Sequence, residues 1–333
     1  MIEVPDFDDV LAAAARIHGH AVRTPLVESP ILSERSGGRV FLKLELLQRT
    51  GSFKFRGAYN RIAMIPEDQR AGGVVAFSSG NHAQGVAAAA RLFGMKALIV
   101  MPTDAPRPKI DGTRALGAEI VLYDRLLDDR EAIAAGIREE RGATLIKPYD
   151  DPGVMAGQGT AGLEIAEDAA RFGVELDTVL APCSGGGLVT GVALGLRASD
   201  SVARAPKVHS VEPENFDGMR RSLAAGERVA APGISQGGKL SIADALMAPI
   251  PGIHVFELAK TLLSPGLAVS DAELEQAVAF AATRLKLLVE PGGAAALAAL
   301  LSGKTDGKNI ALVISGGNAE FAAVAGIVEK QAH

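Results

Sequence analysis

A lysine between two phenylalanines is the first candidate for chemistry in this chain. Lys54 lies between Phe53 and Phe55 in the segment Gln48–Ala58. Burial among apolar groups disfavours an ammonium ion, so we expect the pKa of this amine to be lowered. A neutral amine can attack an aldehyde and form a Schiff base. The alternative is a lysine at a helix start whose ammonium group reaches solvent, and this segment alone does not decide between the two.

Three loops of small residues form a second set of candidates. Ser78–Asn81, Ser184–Gly187 and Ser315–Asn318 each directly follow a short apolar run that predicts a strand. Because ligands bind beyond the carboxyl ends of the strands in open α/β sheets, we expect the three loops to face one cleft. The consecutive glycines of the second loop would let backbone N–H groups surround a phosphate at the start of the next helix.

The same glycines also allow a dinucleotide-binding interpretation. Gly185-x-Gly187-x-x-Thr190 nearly matches the nucleotide fingerprint, and Glu212 ends the next predicted strand, where an acid would bind a ribose. The fingerprint, however, belongs to the first strand–helix turn of such a domain, whereas this segment falls in mid-chain. A nicotinamide dehydrogenase would also leave Lys54 and the other two loops without a role, so it explains less of the sequence.

Two further patterns carry less weight. Residues 233–237 match the nucleophile loop of serine hydrolases around Ser235. That motif requires a buried strand before it, which Pro232 disfavours. The histidines are scattered, and His18 and His20 are spaced too closely to share a helix face, so the sequence predicts no metal site.

Alternating strands and helices must position these residues. Each apolar run is followed by a segment of helical periodicity, which predicts α/β architecture with parallel sheets and helical crossovers. A chain of 333 residues is long enough for two domains. The predicted strands are residues 73–77, 97–101, 119–123, 144–147, 178–181, 208–212 and 309–314.

Composition excludes several classes of protein. The net charge is −5 without a basic cluster, which argues against nucleic acid as a partner. A single cysteine, Cys183, excludes an internal disulfide and fits a reducing compartment. The N-terminus lacks the apolar core of a signal peptide, and no apolar run approaches membrane-spanning length. We therefore expect a cytoplasmic protein that does not associate with membranes.

Taken together, the motifs resemble those of the fold-type II pyridoxal-phosphate enzymes, in the branch of the threonine/serine dehydratases and serine racemase. The resemblance covers nearly the whole chain and follows the family's order. It implies two open, mostly parallel-sheet domains with the cofactor in the cleft between them. The matching segments are Arg23–Leu26, Lys43–Gln48, Ser52–Ala58, Ser78–His82, Ser184–Leu188, Val289–Pro291 and Ser315–Asn318.

The resemblance also implies how these residues bind pyridoxal 5'-phosphate. Lys54 carries the cofactor covalently, and Phe53 packs against its ring. Asn81 hydrogen-bonds the ring's 3-hydroxyl, and Ser315 faces the pyridine nitrogen. Because a serine cannot hold a proton on that nitrogen as an aspartate would, prompt loss of a β-leaving group is favoured over transamination. The cradle implied for the phosphate consists of Ser184, Gly185, Gly186, Gly187 and Leu188.

Four residues bear on the substrate. Backbone groups around Ser79, Gly80 and His82 are expected to hold its carboxylate, as loop N–H groups at a helix start can. Ser79 is also a candidate acid/base on the face opposite Lys54, the alternative being a serine that only positions the carboxylate. Arg130 could meet a distal carboxylate, or it could be an exposed helix-start arginine paired with its acidic neighbours.

The expected function is a pyridoxal-phosphate-dependent dehydratase (ammonia-lyase). It would convert L-threonine or L-serine to a 2-oxo acid and ammonia by β-elimination, with Lys54 as the base for the α-proton. A 3-hydroxyaspartate dehydratase and a serine racemase remain alternatives within the family, and a catalytically silent ligand-binding relative is one outside it. The larger domain is expected to hold residues 1–68 and 151–333, and the smaller one residues 69–150. A homodimer is the expected assembly.

Some positions depart from the family's pattern. Ser184 opens the glycine loop where another glycine is usual, and Ala245 replaces the glycine of a common Thr-Ile-Ala-Asp-Gly motif. Branches that bind a divalent cation use a glutamate after a strand and a later aspartate. Glu212 is present, but Gly218 stands at the aspartate position and Asp217 lies one residue early. We therefore assign no metal ligand.

Overall fold

The computed structural model describes residues 2–78, 80–105, 107–124, 127–197, 205–233 and 239–331. Its strands form two sheets, one of order β1-β2-β10-β7-β8-β9 and one of order β5-β4-β3-β6. The strands are β1 (Leu26–Glu28), β2 (Arg39–Leu44), β3 (Val74–Phe77), β4 (Ala97–Pro102), β5 (Glu119–Tyr123), β6 (Thr144–Leu145), β7 (Thr178–Pro182), β8 (Lys207–Pro213), β9 (Leu267–Val269) and β10 (Asn309–Ile314).

Helices connect these strands and cover both sheets. Every predicted strand is present, and helices follow most of them in the alternation expected for α/β architecture. The helices are α1 (Phe7–Ile17), α2 (Pro30–Ser36), α3 (Lys54–Ala63), α4 (Asn81–Leu92), α5 (Arg107–Ala115), α6 (Arg130–Arg141), α7 (Pro152–Arg171), α8 (Gly187–Leu196), α9 (Gly218–Ala225), α10 (Ile253–Leu262), α11 (Asp271–Phe280), α12 (Ala295–Leu301) and α13 (Phe321–Gln331). No helix in the described ranges is both long enough and apolar enough to cross a membrane.

Both sheets are mostly parallel, as expected. In the larger sheet β10 runs parallel to β2 and β7, and only β1 pairs antiparallel, with β2. In the smaller sheet β3 pairs in parallel with β4 and β6, and β4 pairs in parallel with β5. The central strands are buried on both faces, which explains why they read as continuous apolar runs.

Helices α7 and α8 pack unusually closely on the larger sheet. A Cβ atom added to Gly162 would lie 2.2 Å from the carbonyl oxygen of Val192, and one added to Gly195 would lie 2.1 Å from that of Gly159. Glycine is therefore required where the two backbones meet. This contact holds α8, the helix that follows the predicted phosphate loop, against α7.

A group of buried charges anchors helix α3, which begins at Lys54. The Arg56 guanidinium donates to Glu45 and to Glu164, with N–O distances of 2.8 Å to each. The Lys43 ammonium donates to the second oxygen of Glu164 at 2.5 Å. We call these four residues the buried ionic cluster. Because the cluster connects α3 to β2 and α7, it fixes the position of Lys54 at the start of α3.

Candidate active site

A cavity of about 560 Å³ collects nearly all the predicted site residues. It lies at the carboxyl ends of strands from both sheets, where the sequence placed a shared cleft. Ser79 lies outside the described residues, so its prediction stays untested. The predicted residues that line the cavity are Phe53, Lys54, Gly80, Asn81, His82, Arg130, Ser184, Gly185, Gly186, Gly187, Leu188 and Ser315.

Lys54 projects into this cavity from the first residue of α3. Its Nζ atom donates to the carbonyl oxygen of Pro148 at 2.7 Å and lies 5.1 Å from the centre of the Phe53 ring. Burial lowers the pKa of Lys54 to about 8, although the nearby Glu290 carboxylate acts in the opposite direction. The lowered pKa agrees with the expectation from the apolar flanks. A substantial fraction of this amine is neutral and nucleophilic in weakly basic solution.

Backbone contacts hold the lysine segment against the closing loop. The N–H of Phe53 donates to the carbonyl oxygen of Ser315 at 3.1 Å, and Ser52 forms an isolated antiparallel bridge with Gly316. Ser315 itself is buried, with 4% of its surface exposed. Lys54 and Ser315 therefore lie on adjacent backbone segments, at opposite ends of the sequence, and face the same space.

Asn81 is the first residue of α4 and has both ends of its amide bonded. Its Nδ2 donates to Glu290 Oε1 at 2.6 Å, and its Oδ1 accepts from Asn318 Nδ2 at 2.8 Å. Burial raises the pKa of the Glu290 carboxyl to about 7, while the Asn81 hydrogen bond opposes this rise. Glu290 belongs to the Glu-Pro motif, for which the sequence predicted no role. The structure places its carboxyl in the cavity beside Asn81.

The glycine loop forms a tight turn between β7 and α8. Gly186 has a φ of +97°, in the left-handed region that favours glycine. A Cβ atom on Gly185 would lie 2.3 Å from ring atoms of Tyr149, and one on Gly187 would lie 2.9 Å from the Tyr149 carbonyl oxygen. The Ser184 hydroxyl accepts from the N–H of Ala248 at 3.1 Å. The loop therefore packs closely against Tyr149 and has backbone donors at the start of α8, which suits a phosphate.

His82 lines the cavity but its ring is bound elsewhere. Its Nε2 contacts the carbonyl oxygen of Ile146 at 2.9 Å, and its buried Nδ1 has no hydrogen-bond partner among the described residues. Burial, together with the nearby Lys54 ammonium, lowers the pKa of His82 to about 3. The ring is therefore neutral, and any contact with a carboxylate falls to the backbone of the loop rather than to an imidazolium.

Arg130 reaches the cavity from the first residue of α6. Its guanidinium carbon lies 5.1 Å from the centre of the Phe77 ring, a cation–π contact. Its positive charge also opposes the rise in the pKa of Tyr149 that burial causes. No carboxylate of the described residues forms an ion pair with Arg130, although Asp129 caps α6 through Glu131 and Ala132. Asp129 thus bonds to the helix backbone, and Asp128 to the N–H of Asp124, rather than to this arginine.

Three polar residues are among those of the cavity lining that sequence reasoning missed. Tyr149 packs on the glycine loop, whereas Lys109 and Asp244 form an ion pair of 2.8 Å within the lining. Asp244 belongs to the segment in which Ala245 replaces the usual glycine, so its motif was visible but its contact was not. Lys109 is an isolated lysine on α5 that carries no local signal.

The remaining sequence candidates lie elsewhere. Glu212 does not line the cavity, because its carboxylate accepts from the N–H groups of Met219 and Arg220 at 2.8 Å each, at the start of α9. Asp217 instead pairs with Arg220 and Arg221. Within the described ranges, no group of His, Cys, Asp and Glu side chains is arranged to hold a metal ion. Ser235, the serine of the hydrolase pattern, lies outside the described residues.

Comparison with known proteins gives matches along the whole chain. A family model for pyridoxal-phosphate dependent enzymes matches residues 17–316. The chain is 42% identical over 330 residues to an L-threo-3-hydroxyaspartate ammonia-lyase of a Pseudomonas species, covering 98% of this chain and 100% of that protein. It is 42% identical over 327 residues to an L-threonine ammonia-lyase of Thermotoga maritima, covering 97% of this chain and 78% of that protein. The structure of maize serine racemase superposes with a TM-score of 0.89 at 34% identity, over 99% of this chain and 98% of that one.

Proposed function

This chain belongs to the pyridoxal-phosphate-dependent enzymes, and on that basis we propose that it is an ammonia-lyase for small β-hydroxy amino acids. L-Threonine and L-serine are the first candidate substrates, each converted to a 2-oxo acid and ammonia. The observation that carries the proposal is the meeting of Lys54, the glycine loop and Ser315 in one cavity. Two relatives that are named ammonia-lyases, and that match 98% and 97% of this chain, support it.

The cavity fits pyridoxal 5'-phosphate, the cofactor of this family. The glycine loop packs against Tyr149 with no room for a Cβ atom at Gly185 or Gly187, and its backbone lies at the N-terminal end of α8, where N–H groups can surround a phosphate. Lys54 offers an amine of lowered pKa for the aldehyde, and the Phe53 ring lies beside it. When bound, the cofactor withdraws electrons from the substrate's Cα atom and so weakens its Cα–H bond.

The residues of the chain then have separate tasks. The Lys54 amine takes the proton from Cα as general base. The Asn81 amide, held by Glu290 and Asn318, donates to the ring oxygen, and the Ser315 hydroxyl faces the ring nitrogen as a neutral partner. Backbone N–H groups at the start of α4 hold the substrate's carboxylate. The β-hydroxyl would leave as water, protonated by the Lys54 ammonium or by the cofactor's phosphate. A neutral partner at the ring nitrogen would favour this loss over transamination.

A second candidate substrate is 3-hydroxyaspartate. The favouring observation is Arg130, which lines the cavity and has no ion-pair partner among the described carboxylates. A guanidinium in this position can bind a distal carboxylate through two parallel hydrogen bonds. The Pseudomonas relative, named for this substrate, adds support.

Steady-state kinetics with three substrates test the proposal. Ammonia and 2-oxo acid release from L-threonine, L-serine and L-threo-3-hydroxyaspartate would be measured for the unmutated protein, Arg130→Ala and Arg138→Ala. Arg138 is exposed on the same helix and serves as a matched control. If Arg130 binds the distal carboxylate, its loss lowers kcat/KM for 3-hydroxyaspartate about 10–100-fold and leaves threonine nearly unchanged. An equal change for both substrates would leave threonine/serine dehydration as the assignment, and no ammonia from any of them would end the proposal.

Ser79 remains the proposed acid/base on the face opposite Lys54. In that role it would let the enzyme racemise serine, because inversion needs a proton-transfer group on each face. Ser79→Ala should then keep L-serine dehydration and lose D-serine formation. If the unmutated protein forms no D-serine, Ser79 serves only to position the carboxylate.

We also propose the domain division and the assembly. Residues 69–150 form the smaller domain and residues 1–68 with 151–333 the larger, cofactor-binding one; the smaller sheet, β3 to β6, lies wholly within 69–150. The protein acts as a cytoplasmic homodimer. Limited proteolysis near residues 68 and 150 would test the division, and light scattering the assembly.

A further inference from the structure

We propose that Lys109 is the side-chain cation that binds the substrate's α-carboxylate, and that Asp244 holds this lysine while no substrate is present. The inference rests on the proposed function, because it adds a residue to the same site. It differs from the roles given above, in which only backbone groups meet the α-carboxylate. Its basis is the placement of the Lys109–Asp244 pair within the cavity.

The ion pair bridges two parts of the cavity wall. Lys109 lies on α5, which follows β4 of the smaller sheet, whereas Asp244 lies in the segment between α9 and α10, beside the larger sheet. Lys109 Nζ is 2.8 Å from Asp244 Oδ2. The lysine side chain is 17% exposed and the aspartate side chain 49% exposed, so the pair faces the open side of the cavity. Such a partly exposed pair is weak and easily exchanged for another carboxylate.

Lys109 also lies beside the loop expected to hold the carboxylate. A Cβ atom built on Gly80 would be 3.4 Å from Lys109 Cδ and 3.6 Å from its Nζ. The ammonium group is therefore next to the N-terminal end of α4, where backbone N–H groups and the helix dipole already favour an anion. A carboxylate placed there can accept from the backbone and from Lys109 together. Asp244 is the carboxylate that meets this ammonium in the substrate-free protein.

The charges of Lys109 and Asp244 both affect the pKa of Glu290, a carboxyl of the cavity wall. Asp244 raises and Lys109 lowers the pKa of the Glu290 carboxyl, which is itself bonded to Asn81. The pair is therefore close to the groups proposed to orient the cofactor. Lys109 and Arg130 would meet different ends of a dicarboxylic substrate, Lys109 the carboxylate that every amino acid has and Arg130 the distal one.

Kinetics of two variants test this division. Lys109→Gln should raise KM for threonine, serine and 3-hydroxyaspartate alike, about 10–100-fold, with kcat within about threefold, as expected for losing one charged hydrogen bond to the substrate. Asp244→Asn, which frees the lysine, should lower KM for all three up to about fivefold. Lys330→Gln removes an exposed ion pair with Glu275 and should change neither. An unchanged KM in Lys109→Gln, or a rise only for 3-hydroxyaspartate, would overturn the inference.

Binding of glycine to the holoenzyme separates this inference from the proposed function. Glycine has the α-carboxylate but no β-leaving group, so its Kd, followed by the change in visible absorption, does not depend on elimination. Lys109→Gln should weaken glycine about 10–100-fold and Asp244→Asn should strengthen it. If the unmutated protein releases no ammonia but glycine binding still depends on Lys109, only the proposed function fails.

A charge-conserving variant controls for a general loss of structure in Lys109→Gln. Lys109→Arg keeps the positive charge and should bind glycine within about threefold of the unmutated protein. If Lys109→Gln and Lys109→Arg lose glycine affinity equally while both retain bound cofactor, the charge is not what binds the carboxylate, and the inference is wrong.

Discussion

Asn81 Nδ2 donates to Glu290 Oε1 at 2.6 Å, so the amide and the carboxyl form a pair within the cavity wall. Asn318 completes the arrangement by donating to Asn81 Oδ1. With one amide hydrogen and one oxygen lone pair used, the orientation of the Asn81 amide is fixed and its second N–H is left for a further acceptor. The three residues come from widely separated parts of the chain. The donor proposed for the cofactor's ring oxygen is thus oriented before the cofactor binds.

The pKa of Lys54 sets a pH dependence for cofactor uptake. The amine attacks the aldehyde only when neutral, and burial lowers its pKa to about 8. Below that pH the neutral fraction falls about tenfold per unit, so the rate of uptake by the apoprotein should rise steeply with pH and level off above about 8. Stopped-flow absorbance after mixing apoprotein with pyridoxal 5'-phosphate would measure it. A rate that still rises through pH 10 would show an unshifted lysine.

Replacement of the same lysine tests its covalent role. Lys54→Ala should lose the visible band that borohydride abolishes, and turnover should fall by several powers of ten, because one residue is both the nucleophile and the base. Normal ammonia release by this variant would exclude Lys54 as the cofactor-binding residue.

Two glycine substitutions contrast a constrained site with an open one. Gly185→Ala should weaken binding of pyridoxal 5'-phosphate about tenfold or more, because its Cβ would lie 2.3 Å from the Tyr149 ring and must displace it. Gly136→Ala in α6 meets nothing within 4 Å and should stabilise the protein by about 0.5–1 kcal/mol without affecting the cofactor. Absorbance titration and urea unfolding measure the two effects. Equal cofactor affinity in both variants would contradict the expected clash.

The enzyme should tolerate the loss of the Ser315 hydroxyl better than the replacement of Ser315 by an acidic residue. Ser315→Ala loses a neutral hydrogen bond worth about 0.5–1.5 kcal/mol and should keep part of the activity. Ser315→Asp would place a negative charge beside the ring nitrogen, keep it protonated and direct some flux to transamination. The latter would appear as activity that fades during turnover and returns when pyridoxal 5'-phosphate is added. An Asp variant with unmutated rate and products would show that Ser315 does not face the ring.

The buried ionic cluster should dominate the stability of the lysine helix. Arg56→Met leaves Glu45 and Glu164 buried without their guanidinium, so we expect the free energy of unfolding to fall by about 3–5 kcal/mol. Arg61→Met, on the same helix, removes a more exposed pair with Asp151 and should cost about 1 kcal/mol or less. Urea titration of the two apoprotein variants measures both changes. A similar fall in the free energy of unfolding for each would mean that burial does not determine how much an ion pair stabilises the protein.

The sequence predicted the elements whose signals are local. The parallel strands are continuous apolar runs because both of their faces are buried, and the loops after them were recognisable from small residues alone. Strand β2 was not among the predicted strands, because Lys43 interrupts its apolar pattern. The structure buries this lysine completely by bonding it to Glu164, 121 residues away, and no local pattern reveals such a partner.

The same distinction applies to the site. Lys54, Asn81 and the glycine loop lie in short motifs, and the structure brings them together. The Lys109–Asp244 contact depends on how α5 approaches a segment 135 residues later, so only the fold could reveal it. Of the alternative that made Arg130 an exposed helix-start arginine paired with its acidic neighbours, the structure has the exposed position but not the pairing, because Asp129 caps the helix instead.

Strand β10 lies in the interior of the larger sheet, between β2 and β7, although it is formed by residues 309–314. During synthesis, β2 and β7 emerge from the ribosome long before the strand that joins them. Until then their facing edges have unpaired backbone groups, which invite pairing with other chains. Because Ser315 and Asn318 directly follow this strand, the nascent chain cannot assemble the cofactor site piecemeal. The cofactor site is therefore completed only when this late strand is inserted between β2 and β7, and until then the two edges are open to pairing with other chains.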